Sequence, residues 1–425
     1  MSILHTPLKT RTRKSLFQIP LRRPGGRRDG PLVSRKAESL DSPAREQAAN
    51  LLLEWYRRAR RRLPWRDSPS PYAVWVSEVM LQQTRVETVV PFYLRFLGRF
   101  PTIRDLALAD IDLVLALWSG LGYYRRARSL HAGAREVLAR HGGEFPRDLE
   151  SALEIPGVGP YTAGAVLSIA YNLPAPVVDG NVERVLTRLL RIPGDPRGGA
   201  LARRLRVIEA GFIPEGHASE FNQAVMELGA TLCAPREPAC PASPLAEICL
   251  ARRHGDASRY PESARRPTSV PVMLHAALVR NGERCLIERV TRRGYLEGLW
   301  LFPFIEADGA RESARMNPSP TPDPRLADSL SRKLGVRLRA AGLATRVRHA
   351  ITFRRITVEV YRFEPRAPFH THGGDGPLGG AAGGLRWSRL EELGKTLAVS
   401  SIVPKVLKSL GKELVNGEQK TGNGK

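Results

Sequence analysis

Leu153-Glu154-Ile155-Pro156-Gly157-Val158-Gly159-Pro160-Tyr161-Thr162-Ala163-Gly164-Ala165 has helical pattern on both sides, and it reads as helix, tight glycine turn, helix. Gly157 and Gly159 let such a turn take unusual backbone angles and approach another surface closely. The helix that follows opens with free N–H groups and the positive end of its dipole, which suits a phosphate. Taken alone, the Gly-Val-Gly turn reads equally well as an ordinary helical corner. Downstream, Val177-Val178-Asp179-Gly180-Asn181-Val182-Glu183-Arg184-Val185 sets an acid after two β-branched residues and ahead of another helix. By itself, Asp179 reads as an N-cap.

Upstream of the hairpin run Leu63-Pro64-Trp65-Arg66 and Pro71-Tyr72-Ala73-Val74-Trp75-Val76-Ser77-Glu78-Val79-Met80-Leu81-Gln82-Gln83-Thr84-Arg85-Val86. Glu78 stands among apolar neighbours. Burial would raise its pKa and keep it protonated, as a general acid requires, although a paired core carboxylate fits the same pattern. From about Glu46 to Cys249 apolar residues recur at three and four, as in Leu106, Leu113, Leu117 and Val166, Ile169, Ala170, so the reading is all-helical. Beyond a polar linker, strand signals take over at Val270 to Val279, Cys285 to Val290 and Arg355 to Phe363.

The whole chain has 425 residues, 42% of them hydrophobic, enough for two cores, since single cores rarely grow beyond about 250 to 300 residues. Its 66 Lys and Arg outnumber 42 Asp and Glu, and the net charge of +24 favours a polyanion: nucleic acid first, an anionic membrane surface second. There is no run of about 18 apolar residues and no signal-peptide pattern, so no membrane partner and a cytoplasmic, nucleoid-associated location are expected. Cys233, Cys240 and Cys249 fall in one short segment, which reads as metal ligands rather than a disulfide framework. Cys285 lies on a predicted strand and reads as a packed thiol.

The hairpin with an acid about twenty residues after it resembles the helix-hairpin-helix DNA glycosylases. Glu78 and its neighbours, Gly120-Leu121-Gly122-Tyr123-Tyr124 and Phe221-Asn222-Gln223-Ala224-Val225-Met226-Glu227-Leu228-Gly229 are similar to the adenine DNA glycosylase (MutY) family, over about 46 to 250. The resemblance implies a monofunctional N-glycosylase that flips adenine from pairs with 8-oxoguanine or guanine in double-stranded DNA, acting as a monomer. Carried over residue by residue, Glu78 would protonate adenine N7 and later assist water, while Asp179, oriented by Asn181, would stabilise an oxocarbenium-like sugar. Trp65, Arg66, Leu81, Tyr161 and Glu227 would line the adenine pocket. Gln83 and Tyr123 would wedge into the duplex, and Gly157 and Gly159 would meet DNA phosphate. Endonuclease III-like relatives place a lysine where this chain has Tyr161, whose amine forms a Schiff base and cuts the strand, so base removal without efficient strand cleavage is expected.

The family ordinarily closes its helical domain with C-x6-C-x2-C-x5-C around a [4Fe–4S] cluster. This chain keeps the spacing with Cys233, Cys240 and Cys249 but has Ser243 at the third position. Serine is a harder ligand that must lose a proton first, so full occupancy of the cluster is left open. Without a cluster, the segment would present Arg236 or Arg252 to phosphate.

Val270 to Phe304, with Gly298-Leu299-Trp300-Leu301-Phe302-Pro303, resembles the Nudix-like domain of the same family, without a glutamate-rich metal helix over 306–335. It reads as a recognition module. His349-Ala350-Ile351-Thr352-Phe353-Arg354-Arg355 holds the place of the family's Phe-Ser-His turn, leaving Thr352 to hydrogen-bond the opposite base, or else forming an ordinary exposed hairpin.

The expected fold class is therefore α plus α/β. A disordered basic arm spans 1–43, with ten basic and three acidic residues; phosphate binding, a solvated tail and a transit peptide are its readings. A helical HhH-GPD glycosylase domain spans 44–253, including the cysteine segment 233–249. A linker follows over 254–267, then a Nudix-like domain over 268–411 and a disordered tail over 412–425, with long loops near 306–325 and 366–384. Two rival functions remain: an endonuclease III-like glycosylase and AP lyase, or a non-catalytic helix-hairpin-helix DNA-binding protein.

Overall fold

The computed structural model describes residues 40–415 except 68, 197–198, 263–267, 292–293, 308–320, 367–383, 394–396 and 398. Most of the expected arm, most of the two long loops and residues 416–425 of the expected tail lie outside these residues.

Among the described residues, thirteen α-helices come first: α1 Ser42–Ala59, α2 Pro64–Asp67, α3 Pro71–Leu81, α4 Val86–Arg99, α5 Ile103–Leu108, α6 Ile111–Leu117, α7 Arg125–His141, α8 Leu149–Glu154, α9 Pro160–Ala165, α10 Gly180–Leu189, α11 Gly199–Ala210, α12 Ala218–Thr231 and α13 Leu250–Arg253. Local chemistry sets many of their starts. Asp41, Ser70 and Asp148 each accept a backbone N–H from the first turn, and Thr102 forms a reciprocal capping box with Asp105. The first helix opens at Ser42, inside the stretch expected to be disordered, because Asp41 caps it.

Tyr72 to Met80 of α3 are all buried. A helix apolar on every side belongs at the centre of a core. Around it Trp75 meets Phe145 edge-on at 5.3 Å, and Phe96 meets both Phe100 and Trp118 in the same manner.

Strands follow: β1 Val270–Asn281, β2 Arg284–Arg289, β3 Trp300–Leu301, β4 Phe304–Glu306, β5 Leu338–Ile351, β6 Arg354–Pro365 and β7 Leu385–Arg389, with α14 Pro324–Leu334 and α15 Ile402–Val415. The path runs β3-β2-β1-β6-β5; β4 adds to β1 and β7 to β2. Among these strands only β1 and β6 pair in parallel, so the sheet is mixed, and helical and α/β parts occur in the expected order. Within residues 306–335, α14 carries one carboxylate, Asp328. The backbone of α15 continues helical to Val415, past the expected start of the tail at 412.

The helical and sheet parts share one apolar cluster that includes Trp75, Leu115, Trp300, Val399 and Ile402. Polar links cross between them as well: Arg289 Nη2 lies 2.8 Å from Asp112 Oδ1, and the Tyr124 hydroxyl donates to the Val399 carbonyl at 3.2 Å. The β5–β6 hairpin turns through Thr352 and Phe353. Thr352 adopts φ +54°, a left-handed angle that is uncommon for a β-branched residue.

Candidate active site

A cavity of about 510 Å³ opens where the end of α3, the start of α9, the cap of α10 and one face of α12 meet. Trp65, Arg66, Glu78, Leu81, Gln83, Tyr161, Asp179, Asn181 and Glu227, expected site residues drawn from both ends of the helical part, all line it.

Glu78 is 5% exposed, and the Tyr161 hydroxyl donates a hydrogen bond to its Oε2. Burial pushes the Glu78 carboxyl up to about 7, and the nearby Asp179 charge pushes the same way; the bond from Tyr161 and the Arg66 charge act against this. Glu78 is thus a carboxyl that can hold or release a proton near neutrality.

Asp179 caps α10. Its Oδ1 accepts the N–H groups of Asn181 at 2.9 Å and Val182 at 2.8 Å, and its Oδ2 accepts the Asn181 side-chain amide at 2.9 Å. Burial raises its pKa, opposed by these three donors and by the Arg184 charge. The N-cap reading of this acid holds, and the residue that caps the helix also lines the cavity. Asn181 is in turn fixed by Arg184, whose Nη2 donates to its Oδ1 at 2.8 Å while Nε donates to the Cys233 carbonyl at 2.7 Å. Behind it α12 comes so close that a Cβ on Gly229 would lie 2.6 Å from that of Asn181.

On the opposite wall Glu227, 1% exposed, accepts from Arg61 Nε at 2.7 Å and Arg66 Nη2 at 2.8 Å. Burial alone would raise its carboxyl, but the two guanidinium groups overcome that and hold it down to about 2. Trp65 is buried edge-on against Tyr93 at 5.3 Å. The cavity therefore combines an aromatic wall, one fixed ion-pair cluster and two carboxyls in different environments.

Gln83, at the rim of this cavity, and Tyr123, outside it, occupy turns with left-handed backbone, at φ +59° and +50°. A single side chain ties the turns together. Arg126 donates to the carbonyls of Val79, Met80 and Gln82 on one side and to Gly122 on the other, and its guanidinium lies 5.4 Å from the Tyr123 ring centre. Non-glycine residues in this region cost about 1–3 kcal/mol and persist only where surroundings fix them, as Arg126 does.

The hairpin between α8 and α9 forms as expected, with one correction. Gly157 is left-handed at φ +80°, with Ser129 against it, but Gly159 is extended at φ −98°, ψ 179°, an angle open to any residue. Nothing within the fold requires glycine at 159: among the described residues no atom lies within 4 Å of where a Cβ would point, and that face is free to meet a ligand. Neither Gly157, Gly159, Tyr123 nor Thr352 lines the cavity.

Cys233, Cys240, Ser243 and Cys249 line one small pocket walled by leucines and by Arg188. Arg188 is 2% exposed, and its guanidinium donates to the carbonyls of Tyr260, Ala234 and Pro235 and to Cys233 Sγ at 3.3 Å. Among the described residues none of these partners is a carboxylate, so a buried cation faces a thiol. Among the same residues no three Cys, His, Asp or Glu groups converge as one metal ion would need. An iron–sulfur cluster takes soft thiolate ligands, and three of the four expected ligand positions on this mostly apolar pocket carry a thiol.

The helical fold that carries this pair of buried carboxyls has a match among known families: residues 76–210 match the family described as HhH-GPD superfamily base excision DNA repair protein. Adenine DNA glycosylase of Rattus norvegicus is 46% identical over 211 residues, covering 48% of this chain and 41% of that protein. Its counterpart in Buchnera aphidicola subsp. Schizaphis graminum is 32% identical over 256 residues, covering 60% of this chain and 74% of that protein. The chain belongs to the adenine DNA glycosylase family. It spans about two fifths of the length of the rat and human relatives. Among solved structures, a thermostable thymine-DNA glycosylase aligns with 50% of this chain and 100% of its own, at 27% identity and a TM-score of 0.45.

Sequence reasoning missed Arg61, Arg126, Arg184 and Arg188. In a chain with 66 basic residues, no local signal marks the few arginines that turn inward.

Proposed function

We propose that this protein is an N-glycosylase that removes adenine mispaired with 8-oxoguanine or guanine in double-stranded DNA, without efficient strand cleavage. The observation that carries this is Glu78, pushed by burial to about 7, bonded to Tyr161, and sharing one cavity with the capped carboxyl of Asp179. Unlike environments divide the labour of the two acids.

A flipped adenine enters between Trp65 and the Arg66–Glu227 pair. Protonated Glu78 delivers its proton to N7, and the N-glycosidic electrons leave with the base. Asp179 faces the cationic sugar. Three N–H groups donate to its carboxyl and oppose the upward push of burial, at the place where positive charge develops. Glu78, now ionised, takes a proton from the attacking water.

Tyr161 has no amine for a Schiff base, which is why strand cleavage does not follow. Gln83 and Tyr123 hold the duplex open, and the left-handed turns fix their positions. Gly157 and Gly159 offer the hairpin backbone to phosphate. The sheet part acts as the recognition module, with Thr352 at its exposed hairpin tip meeting the opposite base. An iron–sulfur cluster, when bound by Cys233, Cys240 and Cys249, would staple the 233–249 loop beneath α10, a structural task.

Duplexes carrying adenine opposite 8-oxoguanine, guanine or thymine separate the readings when strand breaks are scored before and after alkali, with borohydride present. Breaks only after alkali, only at mispaired adenine, and no trapped complex are expected. A trapped covalent complex would overturn the reading in favour of a lyase acting through an amine.

A further inference from the structure

The pocket beneath α10 holds three soft ligands and one hard one. Cys233, Cys240 and Cys249 carry thiols that bind iron well, while Ser243 offers a hydroxyl, which binds iron only after losing a proton far more reluctantly than a thiol does. That hydroxyl is already occupied locally. Its oxygen accepts the Leu245 N–H at 3.2 Å, bracing the turn that leads to Cys249.

The charge around the pocket is uneven in the same sense. The buried Arg188 guanidinium donates to Cys233 Sγ and grips the carbonyls of Ala234 and Pro235 beside it. Arg184 holds the Cys233 carbonyl from the adjoining turn of the helix. A cation with no carboxylate partner among the described residues is compensated by an anionic sulfur centre at that end. At the other end the Ser243 oxygen is met by a neutral backbone N–H.

We propose that the three cysteines hold an iron–sulfur cluster whose iron nearest Ser243 has no protein sulfur ligand and exchanges freely, leaving a three-iron core anchored at the Arg188 end. This rests on the cluster assignment above and adds to it a single labile corner. Mild oxidation then removes one iron. The four-iron centre in its 2+ state gives one electron to a one-electron oxidant such as ferricyanide and releases Fe2+, leaving a three-iron, four-sulfide core in its 1+ state.

The test uses the full chain, reconstituted anaerobically with ferrous iron and sulfide, beside Ser243→Cys and Cys240→Ala. One equivalent of ferricyanide is added, and iron release and low-temperature EPR are read. The wild type is expected to release about one iron in four and develop the three-iron signal, while Ser243→Cys releases none over the same period and Cys240→Ala holds no cluster. Equal retention of all iron by wild type and Ser243→Cys would overturn the labile corner while leaving the cluster assignment intact. Colourless, iron-free protein from both would overturn the cluster assignment itself. A wild type that stays iron-free while Ser243→Cys loads fully would show that three thiolates are too few, and the proposal would fail there.

Discussion

Replacing Glu78 by glutamine should leave the protein inactive and, above neutral pH, more stable, and the stability half of that statement has a definite pH signature. Burial raises the Glu78 carboxyl from 4.5 to about 7, so the folded state binds its proton more tightly than the unfolded chain does. With the folded pKa raised, the favourable contribution is complete below about 4.5, declines as pH climbs, and is gone once pH passes about 7. At about 1.4 kcal/mol per pH unit, the interval from 4.5 to about 7 corresponds to about 3 kcal/mol. Glutamine keeps the acceptor oxygen for Tyr161 and never ionises. The unfolding free energy of Glu78→Gln minus that of the wild type should therefore rise by about 3 kcal/mol between pH 4.5 and about pH 8. Urea unfolding of both proteins at several pH values measures this, and groups that titrate alike in both cancel. A difference that stays flat across the range would refute the claim that Glu78 is held protonated by its surroundings.

Three further perturbations separate the parts of the site. Glu227→Ala strands the nearly buried Arg66 guanidinium, 11% exposed, without its carboxylate, and unfolding in urea should show a loss of about 3 kcal/mol. Gly157→Ala, at φ +80° with Ser129 Cβ 2.5 Å away, should cost more than about 1 kcal/mol, whereas Gly159→Ala should melt like wild type. If the hairpin meets phosphate, the same Gly159→Ala protein should bind DNA more weakly at every salt concentration in a fluorescence anisotropy titration. Arg126→Met leaves carbonyls on two turns without their donor and should cost about 2 kcal/mol or more. It should also reduce base extrusion, read from 2-aminopurine placed at the adenine position, more than it slows release from a substrate whose adenine is already unpaired.

What could be read from the chain followed the range of the physical signal. Asp179 and the glycine turn stood out because capping and turn chemistry act over a few neighbouring residues. Glu78 stood out because it is the one charged residue inside the mostly apolar stretch Tyr72 to Met80. The parallel pairing of β1 with β6 could not be read, since Val270 meets Arg354 only after four other strands have intervened, and an alternating strand pattern carries no record of its partner. The inward-turned arginines were hidden for a related reason. Arg61 reaches across 166 positions to Glu227, and Arg188 grips a loop 45 residues away, so their roles exist only once the helices are packed. Gly159 shows the opposite limit: its place in the motif was plain, but its backbone is extended and the space beside it open, so the fold itself does not call for glycine there.

The central claim is that Glu78 and Asp179 together break the bond between adenine and its sugar. Single-turnover release of free adenine from an adenine:8-oxoguanine duplex, followed by chromatography from about pH 6 to about pH 9, tests it most directly. Release by the wild type should fall about tenfold per pH unit once pH exceeds about 7, and Glu78→Gln and Asp179→Asn should release none on the same timescale. Adenine release that persists in either variant, or a wild-type rate that stays level to the alkaline end of that range, would contradict it.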